Sequence, residues 1–169
     1  CITMAEDNEG FLYPQVDISK CVDLDLCEKI CTVINQYEAR TPLNVYAAKN
    51  SDDEVRNQSS SGGIFTLLAE LTIKDGGVVF GACWDKEWNV KHDCVDNISD
   101  LYRFRSSKYL QSVIGDSYLK AEQFLKTGRK VMFTGTPCQV VGLKHFLRKE
   151  YNNLLAVEMI CHSVPSPGV

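Results

Sequence analysis

No stretch of this sequence stays apolar for the roughly 20 residues that a membrane-crossing helix needs, so no span is expected. The first residues, from Cys1 onward, lack a basic segment followed by an apolar one, so no secretory signal is read there. Neither sign of charge dominates: the formal net charge is -4 over 169 residues. That balance argues against nonspecific nucleic-acid binding and leaves small ligands open. There is no internal repeat, no low-complexity run, no P-loop and no GxGxxG dinucleotide fingerprint. What is left is an ordinary globular composition, with 44% hydrophobic and 24% charged residues. The length suits one domain plus a small appendage.

Cysteine, by contrast, is plentiful. The eight cysteines fall at positions 1, 21, 27, 31, 83, 94, 138 and 161. A chain this long can bury a core without staples, and nothing points to secretion. A metal-binding or redox role therefore fits better than a disulfide framework, and a cytoplasmic location is expected. Cys83 and Cys94 sit in apolar, strand-like stretches and read as small core residues.

The chain divides into three stretches. Residues 1–40 are mixed and turn-rich, with Asp7 to Gly10 separating two extended runs, which is the pattern of a hairpin. The polar stretch from Asn35 to Gln58, with residues 41–58 as its body, reads as a linker or a surface strap. The main domain, residues 59–169, opens on Ser59 to Gly63 and an apolar helical pattern from Ile64, with serine at the expected N-cap. Val78 to Cys83 and Trp88 to Val95 form an expected hairpin, and Asp116 to Thr127 an amphipathic helix stopped by Gly128. Strand, helix and strand follow at Lys130 to Phe133, Pro137 to Lys149 and Leu154 to Ile160. That βαβ unit predicts an α/β fold with a mixed sheet.

Five groups of residues invite chemistry. Thr134, Gly135, Thr136, Pro137, Cys138 and Gln139 join a strand to a helix. Gly135 permits a sharp turn or a close ligand, and Thr136 and Pro137 suit the N-cap and first helical position. Cys138 then lies in the first turn, where unpaired amides favour an anion. A redox or metal-ligating thiolate, bound phosphate, or simply a capped helix with a buried cysteine all remain open. Cys161 and His162 follow the next strand, at the same carboxyl edge where ligands of open α/β sheets bind. His162 is either a ligand, a general acid or a structural residue. Ser60, Ser61, Gly62 and Gly63 expose amides at a helix start, either for a phosphate or as a plain cap. Arg103 to Tyr109, including Ser107 and Lys108, is either an anion clamp with a stacking tyrosine or a solvated basic loop.

The fifth group is Cys21, Cys27 and Cys31. A ferredoxin run reads C-x2-C-x2-C-x3-C-P. Cys21, Cys27 and Cys31 occupy three of its ligand positions, but Leu24 stands at the second, and Thr32 replaces the proline. A three-iron cluster, a four-iron cluster with an outside ligand, a zinc site and a degenerate loop are all compatible with this outline.

In this order, Ser60-Ser61-Gly62-Gly63, Ser107-Lys108-Tyr109-Leu110-Gln111-Ser112, Phe133-Thr134-Gly135-Thr136-Pro137-Cys138-Gln139, Gly142-Leu143-Lys144 and Ile160-Cys161-His162-Ser163-Val164-Pro165-Ser166-Pro167 resemble the coenzyme F420 hydrogenase/dehydrogenase beta-subunit family, in its bacterial branch. The segment from Gly10 to Pro14 with the cysteine triplet resembles the second half of a two-cluster ferredoxin module. The resemblance implies an enzyme, a flavin- and iron–sulfur-dependent oxidoreductase that holds FAD and four-iron four-sulfur clusters. It would exchange electrons with a ferredoxin or partner subunit and with a small redox substrate. It implies cofactor contacts at Ser61, Gly62, Gly63, Ser107, Lys108, Tyr109, Thr134, Gly135, Thr136 and Gln139. Cys138 and Cys161 would be cluster ligands, completed by a Cys-x-x-Cys beyond Val169, and Cys21, Cys27 and Cys31 would serve the ferredoxin-like segment. The competing reading is a non-catalytic electron-transfer or interaction domain without clusters. A thiol enzyme using Cys138 is a third, and would need a base near it, His145 or His162 being the nearest in sequence.

Overall fold

The computed structural model describes residues 1–35, 41–166 and Gly168. The boundary at residue 40 between the cysteine-rich segment and the strap therefore falls outside the described residues, as do Pro167 and Val169.

The N-terminal hairpin forms as its sequence predicts. β1 (Ile2–Glu6) pairs antiparallel with β2 (Leu12–Val16), Ile2 opposite Val16 and Glu6 opposite Leu12. Its turn is held by the Asp7 carboxylate, which accepts from the amides of Glu9 and Phe11, both at 2.9 Å. Gly10 supplies the positive φ of 81° that closes it. A short α1 (Leu26–Ile30) follows, carrying Cys27.

The expected strap contains a helix of its own, α2 (Asp53–Asn57). The Asp52 side chain caps it by accepting from Glu54 and Val55. The strap is anchored rather than loose. Asn50 is buried, its amide donates to the Gly62 carbonyl at 2.7 Å, and its own carbonyl accepts from Arg56 at 2.6 Å.

The main domain is a four-stranded mixed sheet in the order β4-β3-β5-β6. β3 (Val78–Trp84) pairs antiparallel with β4 (Val90–Val95) and parallel with β5 (Val131–Gly135), which pairs parallel with β6 (Leu154–Glu158). The mixed α/β fold and its βαβ unit are as the sequence predicts. Alternation along the strands makes two cores. Val78, Phe80, Val131 and Phe133 face α4 (Ser117–Lys126) and α5 (Pro137–Leu147), where Ala121, Leu125, Val140, Leu143 and Leu147 meet them. Val79, Cys83, Val95 and Met132 face the other way, onto Ala69 of α3 (Ile64–Lys74) and onto Leu101 and Phe104 of the 3₁₀ segment Ile98–Phe104. Phe133 is fully buried and stacks on Phe80 with ring centres 5.7 Å apart. Removing a side chain of that kind costs about 3–5 kcal/mol.

One expected cap is replaced. α3 starts at Gly63, with φ 72° and no side-chain cap, not at a serine. The serines are committed elsewhere. Ser59 Oγ donates to the Val55 carbonyl at 2.6 Å, finishing α2, and Ser60 Oγ accepts from the Ser107 amide at 2.9 Å. Several strand and helix ends also shift by one to three residues. β4 begins at Val90 because Asp85 closes a turn over residues 86–89, accepting from Glu87 and Asn89. α5 stops at Leu147 because Arg148 adopts φ 55°.

Candidate functional site

β3, β5 and β6 run the same way, so their carboxyl ends share one edge of the sheet. β5 leads through Thr136 into α5, and β6 leads to Cys161. Pairing continues one step past the strands, the Met159 amide donating to the Gly135 carbonyl at 2.9 Å. α3 returns into β3 through a tight turn at residues 75–77, so its N-terminus lies toward this same edge on the opposite face from α5. Two helix N-termini therefore flank the carboxyl edge, where ligands of such sheets collect.

Two of the expected cofactor segments are in contact. The Ser60–Ser107 hydrogen bond joins the start of α3 to the loop after the 3₁₀ segment, and Arg105 Nη1 donates to Gln58 Oε1 at 2.5 Å beside it. Arg105 Nε is buried there without a hydrogen-bond partner among the described residues. Lys108 is less available than the sequence suggests. Its ammonium donates to the carbonyls of Arg103, Arg105 and Ser106, at 3.1, 2.7 and 3.1 Å, and so braces its own loop. Burial lowers its pKa. Arg103 is likewise engaged, donating to the Asp93 carboxylate at 2.7 Å and to Cys83 Sγ at 3.7 Å. Tyr109 stands exposed. Ser61 is exposed too. Gly62 admits the strap, since a Cβ there would lie 3.0 Å from the Ala48 carbonyl oxygen.

The Thr134–Gln139 turn is built on a buried polar chain that the sequence did not reveal. Thr134 Oγ1 donates to the Phe80 carbonyl at 2.8 Å, so this side chain belongs to the core. The Thr134 carbonyl lies 3.0 Å from His92 Nε2. His92 Nδ1 lies 2.9 Å from Ser112 Oγ, which accepts from Gln139 Nε2 at 2.8 Å. Gln139 Oε1 accepts from the Thr136 amide at 3.0 Å, the return arm of a capping box. Gly135 is needed to make room for Gln139. Its φ is not positive, but an added Cβ would lie 3.0 Å from Gln139 Oε1 and 3.5 Å from His92 Nε2. Tyr118 completes the support, donating to the Gln139 carbonyl at 2.7 Å. Burial, with the Cys138 sulfur adding to it, pushes the Tyr118 hydroxyl up to about 12. Gly142 admits that ring, since a Cβ would come within 2.8 Å of its hydroxyl.

Cys138 is exposed in the first turn of α5, 3.1 Å from Thr136 Oγ1. Cys161 is exposed too, its thiol 4.0 Å from the Ser163 carbonyl. Cys21 and Cys27 are exposed, Cys31 is half-buried, and Leu24 is 69% exposed. All eight thiols are unpaired. Among the described residues no three histidine, cysteine, aspartate or glutamate side chains are grouped as a metal ion requires. These sulfurs by themselves therefore do not fit a complete iron–sulfur cluster. The Arg105–Ser107 loop closed on the α3 N-terminus, with its orphaned guanidinium nitrogen, does fit an anionic group such as a pyrophosphate.

His92 and Tyr118 were missed because each lies in a stretch that reads as ordinary core, and Ser112, although it ends the Ser107–Ser112 run, had no role assigned to it. Their only signal was a histidine on the inward-facing phase of a strand. An open cavity of about 490 Å³ lies at the β3–β4 turn, lined by Trp84, Asp85, Lys86, Glu87, Lys91 and Arg103. Asp93 already engages two of its cations, Lys91 and Arg103.

The fold is a mixed α/β domain in which two helix N-termini flank the carboxyl edge of the sheet. No protein-family description matches the chain, and no curated protein matches it. Among solved structures it is similar to a chain of the F420-reducing NiFe hydrogenase complex from Methanosarcina barkeri, determined in a xenon-derivatization study. The match has 28% identity and a TM-score of 0.45, and covers 54% of this chain and 32% of that one. The chain thus spans about a third of that relative's length. No helix among the described residues is long and apolar enough to cross a membrane.

Proposed function

We propose that the chain is part of a flavin-dependent oxidoreductase of the family it resembles, with FAD held at the carboxyl edge of the sheet. The observation that carries this reading is the closed loop at Arg105–Ser107. It rests on the N-terminus of α3, which has no side-chain cap, and presents beside it a buried Arg105 Nε with no partner among the described residues. When bound, FAD supplies two-electron chemistry at its ring nitrogens and can release electrons singly. The chain's own part is to bind and orient. The amides that follow Ser61, Gly62 and Gly63, with Arg105, neutralise the pyrophosphate. Thr136 and the first turn of α5 wall the opposite face, with Gln139 setting their backbone. Lys108 keeps the Ser107 loop closed through its three carbonyl contacts.

Cys138 and Cys161 stay as candidate iron ligands. Two thiolates do not hold a four-iron cluster, so ligands from outside the described residues are required. The chemistry calls for a cytoplasmic electron donor or acceptor, a ferredoxin-type protein or partner subunit, and a small redox substrate. Leu24 at a ligand position and the ungrouped cysteine triplet favour a second reading, a domain that transfers or docks without its own N-terminal cluster.

The test is cofactor content. Full-length protein purified without oxygen is expected to carry flavin absorbance, and Arg105→Ala to lose most of it while keeping its fold. Colourless protein that takes up neither FAD nor iron ends the oxidoreductase reading and leaves the docking domain.

A further inference from the structure

We propose that His92 is the positioning residue of the α5 N-terminus. It anchors a one-way chain of hydrogen bonds that holds the turn carrying Cys138 in a single orientation. The direction of the chain follows from its ends. The Thr134 carbonyl only accepts, so the His92 nitrogen 3.0 Å away, Nε2, carries the proton. In the neutral ring Nδ1 must then accept, and the group 2.9 Å from it is the Ser112 hydroxyl, which donates. With its proton spent, Ser112 Oγ accepts from the Gln139 amide nitrogen at 2.8 Å. That fixes the Gln139 amide, so its oxygen faces the Thr136 N–H at 3.0 Å. Thr136 Oγ1 in turn touches Cys138 Sγ at 3.1 Å. Reversing any member leaves two donors or two acceptors facing each other in a buried space, where an unmade hydrogen bond is costly.

The surroundings favour the neutral ring. His92 lies flat on Phe133, with ring centres 5.3 Å apart and planes at 12°. Ser112 from the loop after the 3₁₀ segment and Thr134 from β5 meet it, Gln139 from α5 is linked to it through Ser112, and none of them is charged. Its charged neighbours on β4, Lys91 and Asp93, alternate to the opposite face, where Asp93 meets Arg103. Burial keeps the imidazole pKa below its ordinary value.

The proposal shares Cys138 with the oxidoreductase reading, but the chain itself needs neither flavin nor iron. The test follows alkylation of Cys138 by iodoacetamide in the reduced full chain, resolved by peptide mass spectrometry, with Cys161 in the same molecule as internal control. In His92→Phe and Ser112→Ala the Cys138 rate is expected to rise about fivefold, the factor that one neutral hydrogen bond of ~1 kcal/mol represents, with Cys161 unchanged. His92→Asn, which keeps an acceptor toward Ser112, should return Cys138 to the wild-type rate. Nitrogen-15 spectra of the wild-type chain should show the His92 proton on Nε2. A proton on Nδ1, or a Cys138 rate that follows Cys161 in every variant, overturns the proposal. Should His92→Phe fail to fold, Ser112→Ala and the nitrogen spectrum decide alone. Flavin bound with Cys138 rates unmoved removes this proposal only. Flavin absent with Cys138 rates moved removes the oxidoreductase reading only.

Discussion

Replacing Gly135 by alanine should destabilise the domain through Gln139 and through nothing else. The backbone at Gly135 is not in the left-handed region, so alanine meets no intrinsic strain. On that ground alone the change would stabilise by about 0.4–1 kcal/mol, because alanine restricts the unfolded chain. The new methyl, however, lies 3.0 Å from Gln139 Oε1 and 3.2 Å from its Cβ. Gln139 must swing away, losing its bonds to the Thr136 amide at 3.0 Å and to Ser112 at 2.8 Å. Each is worth about 1 kcal/mol, and leaving the buried Ser112 side unmatched adds about 1 kcal/mol more. The net expectation is a loss of about 2 kcal/mol, or a fall in Tm of about 4–8 °C for a domain of this size. A double-mutant cycle in urea isolates the cause. In a Gln139→Ala background the contact with Oε1 and the hydrogen bonds are gone and only the 3.2 Å contact with Cβ stays, so Gly135→Ala should become close to neutral, with a coupling of about 2 kcal/mol. An equal loss in both backgrounds would refute the reasoning and place the constraint in the backbone of β5.

Two further expectations concern pH. The His92 imidazole is held below its unfolded value of about 6.5, so the unfolded chain binds the extra proton first. Stability should fall as pH drops below about 6.5, by at most ~1.4 kcal/mol per unit, until the folded state also titrates. His92→Phe should flatten that slope in urea melts at several pH values, and an unchanged slope would show that another group titrates. Asp93 acts in the same direction, in a more acidic window. Burial alone would raise its carboxyl, but the Arg103 guanidinium and the Cys94 amide hold it below its ordinary value. Arg103→Met should cost about 1 kcal/mol at neutral pH, as for a partly exposed pair. Because the folded carboxyl is depressed, that difference should persist above about pH 4 and shrink as pH falls through its folded value, and a gap that stays constant down to acid would sink the assignment.

The parts of the fold legible in the sequence were those with local causes. The Asp7–Gly10 turn, the Val78–Cys83 strand and the Thr136-Pro137 helix start each follow from residues within a few positions of one another. So does the βαβ unit, because alternation in β5 and β6 and helical spacing in α5 are short-range patterns. The serine cap of α3 was misread because the competitor for Ser60 is Ser107, 47 positions away. For the same reason the sequence left Lys108 between an anion clamp and a solvated loop, since its sequence neighbours show charge but not the three carbonyls gathered around its ammonium. The helix inside the strap was hidden by its length, its five residues being too few to show a period.

The cysteine positions, the helix starts at Ile64 and Pro137 and the alternation of apolar residues in β3 and β5 are properties of the sequence alone. They bring two helix N-termini and two thiols toward one sheet edge before any contact is known. Which side chains support that edge was settled only by tertiary structure. His92, Ser112 and Gln139 come from a strand, a loop and a helix, and their hydrogen bonds span between 20 and 42 positions of sequence. Hydrogen-bond direction depends on the partner at each end of a chain of groups. Only the folded molecule puts the Thr134 carbonyl at one end and the Thr136 amide at the other.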